Sequence, residues 1–444
     1  MHIKARSHVS TFGMSWNPAR LTVANMLTPL FLIFMLLFLF VIAQSAVAQT
    51  FTVLHNFTDG QDGSVPAVGL VMDAAGNFYG TTWNGGQRNC GGGLYGCGAV
   101  FKLAHKASGW ILTPLYDFAG GSDGSQPYSR VLFGLDGRLY GTTSGGQDGF
   151  GTVFNLTPLA RTPRTSLDPW VETVLHRFSG GGDGSVPHGD PVFDASGNLY
   201  GTTYEGGAYG QGAVYKLTRS HGTWTQSVIY SFTGGTDGKW PLGGLIFDQS
   251  GNLYGTTSKG GQYGYGALYA LNPSTTGWTE NVLHSFAGGN DGTGPVGGLV
   301  SDRVGDLYGT TQGDEYITCG TVYKLTPSPS SWTLTNLHVF DCGVDGENPD
   351  NGLVFDATGN LYGAAIYGGL SGCFGGCGVV FKLAPGSDGI WSYSLLHEFN
   401  GGDGALPVGS VIVDANGNLY GTAAYGGTYE CSGRGCGVVW EITP

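Results

Sequence analysis

A Tyr-Gly pair returns seven times along this chain, at Tyr79, Tyr140, Tyr200, Tyr254, Tyr308, Tyr362 and Tyr420, with spacings of 61, 60, 54, 54, 54 and 58 residues. A fixed period of that length marks an array of supersecondary units, each too small to bury its own apolar faces and therefore dependent on its neighbours. The elements around each pair keep one order. An apolar segment such as Gly244-Leu-Ile-Phe-Asp248 comes first, then a tight turn ending at Asn252, then Leu253-Tyr-Gly-Thr-Thr257 and a Gly-Gly loop. Ala267-Leu-Tyr-Ala-Leu271 follows, then a connection ending in Trp278 and a fourth segment, Val282-Leu-His-Ser-Phe286. Each segment is short, alternates in character and is bounded by Gly, Asn, Asp or Pro, so the spacing predicts four strands per unit. The array shows no helical periodicity of useful length.

Seven units of four antiparallel strands predict an all-β, seven-bladed β-propeller. The strand order and the Asp-x-x-Gly-Asn-Leu-Tyr pattern resemble the NHL-type blade, which implies that the Gly-Leu-Ile-Phe-Asp strand is innermost and the Leu-His-x-Phe strand outermost. In that frame the chain has a surplus strand at 51–57 and lacks one after Val438-Val-Trp-Glu-Ile442. The opening strand is expected to fill the vacancy as the outer strand of blade seven, closing the ring and hiding a sheet edge. A non-closing β-solenoid is the alternative, although solenoid coils are usually shorter. The expected blades run over about 66–118, 127–178, 187–232, 241–286, 295–340, 349–399, and 407–442 with 51–57.

Residues 1–48 read as a signal peptide. Lys4, Arg6 and Arg20 precede an apolar run from Met26 to Ala43, and Ala46-Val47-Ala48 is a small-x-small cleavage site, so the propeller domain is expected over 49–444. An uncleaved anchor is the alternative, since 18 residues just span a bilayer; no later segment is long and apolar enough to do so. The expected location is secreted, periplasmic or on the cell surface. The segment carries three of 19 basic residues and no acidic ones, leaving 16 basic against 32 acidic and a net charge of −16. That sign disfavours a nucleic-acid or anionic-membrane surface.

Eight cysteines in an exported chain point to disulfides. Cys90–Cys97, Cys373–Cys377 and Cys431–Cys436 each flank one loop between second and third strands. Cys319 holds the same repeat position without a partner in its own loop, so Cys342, just past the outer strand of that blade, is its expected mate. A thiolate metal site is the rival, but the spacings differ between loops and no Cys-x-x-Cys knuckle occurs; no metal is expected.

An Asp-Gly ends every outer-to-inner loop (Asp62, Asp123, Asp183, Asp237, Asp291, Asp345 and Asp403), with a Pro three residues beyond each Gly. Sevenfold repetition favours scaffolding, an Asx turn with Gly at positive φ, over a cation site. Asp73, Asp194, Asp248, Asp302, Asp356 and Asp414, at the opposite end, read the same way. Neither set has calcium-loop spacing. His55, His176, His284, His338 and His397 share one strand position with Tyr116 and Tyr230, and a catalytic base would not interchange with Tyr. Gly120-Gly-Ser122-Asp-Gly124 and Gly91-x-Gly93-x-x-Gly96 imitate a nucleophile elbow and a dinucleotide fingerprint, but neither has the strand–helix context those motifs require.

The Leu-Tyr-Gly-Thr-Thr, Gly-Gly-x-Asp-Gly and Gly-x-Val-Phe-Lys-Leu elements together resemble, over essentially the whole array, the Gly-rich tandem repeat of Gloeobacter and Verrucomicrobia surface proteins. The resemblance implies no activity or cofactor. Function must then be sought where the repeat is broken. Just after the loop Pro, most blades carry small or apolar residues, whereas blade two has Tyr128-Ser-Arg130, blade three His188-Gly-Asp190 and blade six Asp350-Asn351. These are expected to ring the central channel, with Trp83, Tyr204, Glu205, Tyr367 and Tyr425 further out on the same face. Aromatics beside carboxylates and amides suit a glycan, peptide or cell-envelope ligand. A non-catalytic binding or scaffold module is therefore expected. The alternative is a propeller enzyme, a metal-dependent lactonase or a polysaccharide-cleaving hydrolase or lyase, but its channel ligands would come only from His188, Asp190, Asp350 and Asn351, on blades half a ring apart. A quinone-dependent dehydrogenase is disfavoured by the lack of Trp-rich docking elements.

Overall fold

In the computed structural model, the residues described are Gly13 and 49–444, apart from 87–95, 160–169, 315–317, 370, 371, 374 and 432. The chain divides into Met1–Ala48 and Gln49–Pro444, and the second unit holds the repeat array. Its strands form seven separate antiparallel sheets, five of four strands and two, in blades two and three, that gain a short strand from the loop. Blade four is representative, running from the inside outward through Ile246–Phe247, Leu253–Thr257, Ala267–Ser274 and Gly277–Ser285. The inner strand is shorter than its sequence suggested, with two paired residues in each blade.

Closure is as expected. Thr50–Asn56 pairs antiparallel with Val438–Thr443, placing Phe51 opposite Ile442 and Val53 opposite Trp440. The seam is also packed: Phe57, Leu70, Phe78 and Phe101 share one buried cluster with Tyr420 and Val439.

The repeat motif is explained by contacts within and between blades. The Tyr of each Tyr-Gly pair donates its hydroxyl to the turn Asp before it, as in Tyr200 to Asp194, Tyr254 to Asp248 and Tyr362 to Asp356, all at 3.1 Å. Its ring meets the Trp that opens the next blade's outer strand, at 6.0–6.2 Å for Trp170, Trp224, Trp278, Trp332 and Trp391. The following Gly makes room for an aromatic from the third strand. A Cβ on Gly363 would lie 2.6 Å from Phe381, and one on Gly255 2.5 Å from the Tyr269 hydroxyl. The Leu-His segment of every outer strand contains a β-bulge just before the His or Tyr, and a bulge re-aims the side chain that follows it.

That side chain turns toward the loop Asp. His55, His176, His284, His338 and His397 reach Asp62, Asp183, Asp291, Asp345 and Asp403 at 2.8–3.2 Å. Tyr116 and Tyr230 donate to Asp123 and Asp237, both at 3.0 Å. His and Tyr interchange because either supplies a ring and a polar hydrogen. The loop carboxylates are scaffolding, but not through Asx turns: Asp62, for one, accepts from the amide of Thr58, four residues upstream. The turn Asps at the other end do form them, accepting from the amide two residues on, as Asp248 does from Ser250 at 2.8 Å.

Candidate functional site

The Asp-Gly and Gly-Gly loops lie together on one face, joined by backbone bonds such as Gly207 to Gly181, Gly261 to Gly235 and Gly369 to Gly343. On this face the residue before each loop Pro bridges two blades. Its N–H donates to a carbonyl of the preceding blade: Val65 to Cys436, Gln126 to Cys97, Val186 to Phe150, Trp240 to Gln211, Gly294 to Tyr265, Asn348 to Cys319 and Leu406 to Cys377, at 2.8–3.0 Å. All seven adopt positive φ, between 53° and 60°, and only one is Gly. Such strain persists where surrounding bonds over-determine the backbone. The Pro then fixes the next step, so the residues after it converge on the axis.

They enclose a cavity of about 440 Å³ lined by Tyr128, His188, Asp190, Tyr204, Asp350 and Asn351 among small residues. His188 and Asp350 sit on blades three and six, yet they line one space, because glycines after the loop Pro let neighbouring blades close in on the axis: a Cβ on Gly189 would lie 2.4 Å from the Gly243 carbonyl oxygen. Half a ring in sequence order is therefore no obstacle to a shared site. One residue expected at the mouth lies outside it. The Arg130 backbone N–H and Nε reach Asp190 at 2.7 and 3.3 Å, outside the lining. Glu205, expected further out, is exposed and outside the lining. Tyr204 stands closer in than expected. Gln312 joins the lining although the sequence reading missed it; its signal was its place in the repeat, where blades one and three carry Trp83 and Tyr204.

The lining is two-sided. One side carries an aromatic arc of Tyr128, His188 and Tyr204, with centroids 3.9 and 6.3 Å apart, which Trp83 (6.3 Å from Tyr128) and Trp240 (5.5 Å from Tyr204) extend outside the lining. The other side carries Gln312, Asp350, Asn351 and glycines. Asp190 is engaged by Arg130, and the Asn351 amide donates to the Pro407 carbonyl at 2.7 Å. Asp350 differs: its Oδ1 is buried with no hydrogen-bond partner among the described residues. Burial pushes its carboxyl up to about 6. Burial, with the Asp350 charge adding to it, raises the Tyr128 phenol to about 12. Burial also drops His188 to about 4, so its imidazole is neutral at pH 7. Among the described residues, no three His, Cys, Asp or Glu side chains converge to hold a metal ion.

Three crosslinks are formed as the repeat positions suggested, Cys319–Cys342, Cys373–Cys377 and Cys431–Cys436, with Cα atoms 4.9–5.1 Å apart. Cys97 is disulfide-bonded; its expected mate, Cys90, lies outside the described residues.

Fold and lining define a repeat-built seven-bladed propeller with a polar–aromatic cavity on one face. The Gloeobacter/Verrucomicrobia repeat profile matches residues 39–170, 164–374 and 280–444, and the chain belongs to that family. No curated protein matches it in sequence. Among solved structures, it resembles one assigned as a 6-phosphogluconolactonase from Bacteroides uniformis at 15% identity and TM-score 0.50, over 77% of this chain and 87% of that one. It also resembles one assigned as an oxidoreductase (glucose dehydrogenase) from Thermus thermophilus at 14% identity and TM-score 0.42, over 89% and 100%. Identities this low speak to fold alone.

Proposed function

We propose that this protein is an exported, non-catalytic binding module that takes a glycan at the channel mouth of its loop face. One observation carries the reading. Among the described residues, the exposed large aromatic side chains, Phe150, Tyr209, Tyr263, Tyr265 and Tyr429, all stand on the loops between second and third strands. The opposite face, made of tight inner-strand turns, exposes aliphatic residues such as Leu135 and Val304 but, among the described residues, no aromatic of that kind. Apolar rings concentrated on one surface of a soluble propeller mark where it is covered by something else.

The cavity narrows the chemistry. A sugar ring has one apolar C–H face and a rim of hydroxyls, and the mouth offers rings on one side and polar atoms on the other. Asp350 lines the mouth, and with its buried Oδ1 unpartnered among the described residues its carboxyl keeps unused hydrogen-bonding capacity at the site. Export is supported by the N-terminal apolar run and by disulfides, which persist in oxidising compartments. A glycan array probed with the purified protein tests the reading. We expect a defined set of bound sugars and at least a tenfold loss of affinity in Asp350→Asn and in His188→Ala. Binding that ignores both substitutions rules the mouth out.

The second reading is a propeller enzyme acting at the same mouth, and one feature favours it. A carboxyl near pH 6 has the proton affinity of a general acid. Cleavage of an array sugar, lost in Asp350→Asn, decides for the enzyme.

A further inference from the structure

A second concavity of about 600 Å³ lies between the loops of blades six and seven, lined by Tyr367, Tyr425, Tyr429, Glu430 and Arg434 over a floor of glycines. We infer that this groove is a secondary carbohydrate subsite, and that the ligand is a linear oligosaccharide running from the channel mouth across Tyr425 into the groove. The inference rests on the proposed sugar binding at the mouth and extends it.

Three observations support it. First, the two sites are contiguous through one residue: Tyr425 lines the groove and also packs in the cluster containing Tyr128 and Trp83. Second, the groove is preorganised. Cys373–Cys377 crosslinks one flanking loop and Cys431–Cys436 the other, and fixing a loop before binding removes part of its ordering cost. Third, the lining suits a neutral, amphipathic ligand. Tyr429 is 52% exposed, an apolar ring left open on the surface. Arg434 lies over the Tyr425 ring with 5.9 Å from guanidinium to centroid, holding that ring in place. Glu430 and Arg434 bring one charge of each sign, so the groove selects for neither anion nor cation. Its floor is mostly glycine, and Ala405, Leu406 and Cys373 supply the small apolar part of the lining. Tyrosines, backbone polar groups and a balanced charge pair together describe a surface for sugar units.

Isothermal titration of the purified protein with cello-, xylo-, laminari- and chito-oligosaccharides of two and six units tests this, with a proline-rich peptide as the contrasting probe. For the series that binds, we expect the six-unit chain to bind at least tenfold tighter than the two-unit chain. Tyr429→Ala should remove that advantage while leaving two-unit affinity within twofold, and Tyr429→Phe, which keeps the ring, should retain it. Unchanged melting temperatures exclude a folding effect. A six-unit chain that gains nothing, or a gain untouched by Tyr429→Ala, overturns the groove even if His188→Ala still abolishes mouth binding. Six-unit binding that survives His188→Ala and is lost in Tyr429→Ala upholds the groove and removes the mouth. Binding of the peptide alone, or of no probe, overturns both.

Discussion

The turn aspartates and Asp350, at opposite ends of the blades, behave oppositely. At the turn end, Asp248 accepts from the Ser250 and Asn252 amides, the Asn252 side chain and the Tyr254 hydroxyl. Burial alone would raise its pKa, but those bonds outweigh it and hold the carboxyl below its usual value. Asp356, with a Thr and an Asn as partners, is held at about 2 against the same burial effect. At the mouth, Asp350 is half-buried, its Oδ1 is enclosed without a partner among the described residues, and desolvation moves the carboxyl up to about 6. Hydrogen bonds to the charged form lower an acid's pKa, and desolvation without them raises it. One residue type thus marks scaffold at one end of the molecule and unused hydrogen-bonding capacity at the other.

The largest effect that sharpens this contrast is expected from Asp248→Ala, which strands several turn donors and should cost about 2–3 kcal/mol in denaturant unfolding. A loss under about 0.5 kcal/mol would remove the turn carboxylates from the scaffold.

Next comes the sign of the pH dependence. A carboxyl raised in the folded state gives stability that is full below its unfolded pKa and lost as pH rises through the folded value. Asp350 should therefore destabilise the fold progressively from about pH 4 to pH 6. Asp356 works the other way, giving stability above its unfolded pKa that is lost as pH falls toward about 2. Asp350→Asn should flatten the slope between pH 4 and 6 and raise stability at pH 7 by about 1–2 kcal/mol, alongside the lost sugar binding. Thermal melts across pH check it; an unchanged slope means the group already has a partner.

The smallest effect concerns the third strand. Tyr215, Tyr269 and Tyr323 bury hydroxyls with no partner among the described residues, whereas blades one and two carry Phe101 and Phe154 there and blade six Phe381. Tyr215→Phe should leave stability unchanged or raise it by up to about 1 kcal/mol. A loss of that size in a melt would reveal a partner for the hydroxyl.

Much of this architecture was legible before any coordinates. The Tyr-Gly period counted the blades, the unmatched strand at 51–57 located the seam, and the odd Cys319 pointed to Cys342. These inferences are secure because each blade meets the same surroundings, so a recurrent residue has a recurrent partner. The departures Tyr128, His188, Asp190, Asp350 and Asn351 were also found, as breaks in that recurrence. Gln312 escaped because its repeat position varies from blade to blade, so no rule was there to be broken, and Tyr429 because Tyr209 and Tyr263 occupy similar loops.

The one-dimensional pattern therefore determined the sevenfold ring, its closure and which positions differ, because periodic side chains encode periodic packing. Only the tertiary structure decided which of the differing residues remain available. It engages Asp190 with Arg130 and Asn351 with Pro407, leaves the Asp350 Oδ1 without a partner, and joins Tyr128 to Tyr425 across the intervening blade. The physical reason is that hydrogen-bond satisfaction depends on distances between blades, and those distances are set by how all seven sheets pack around one axis.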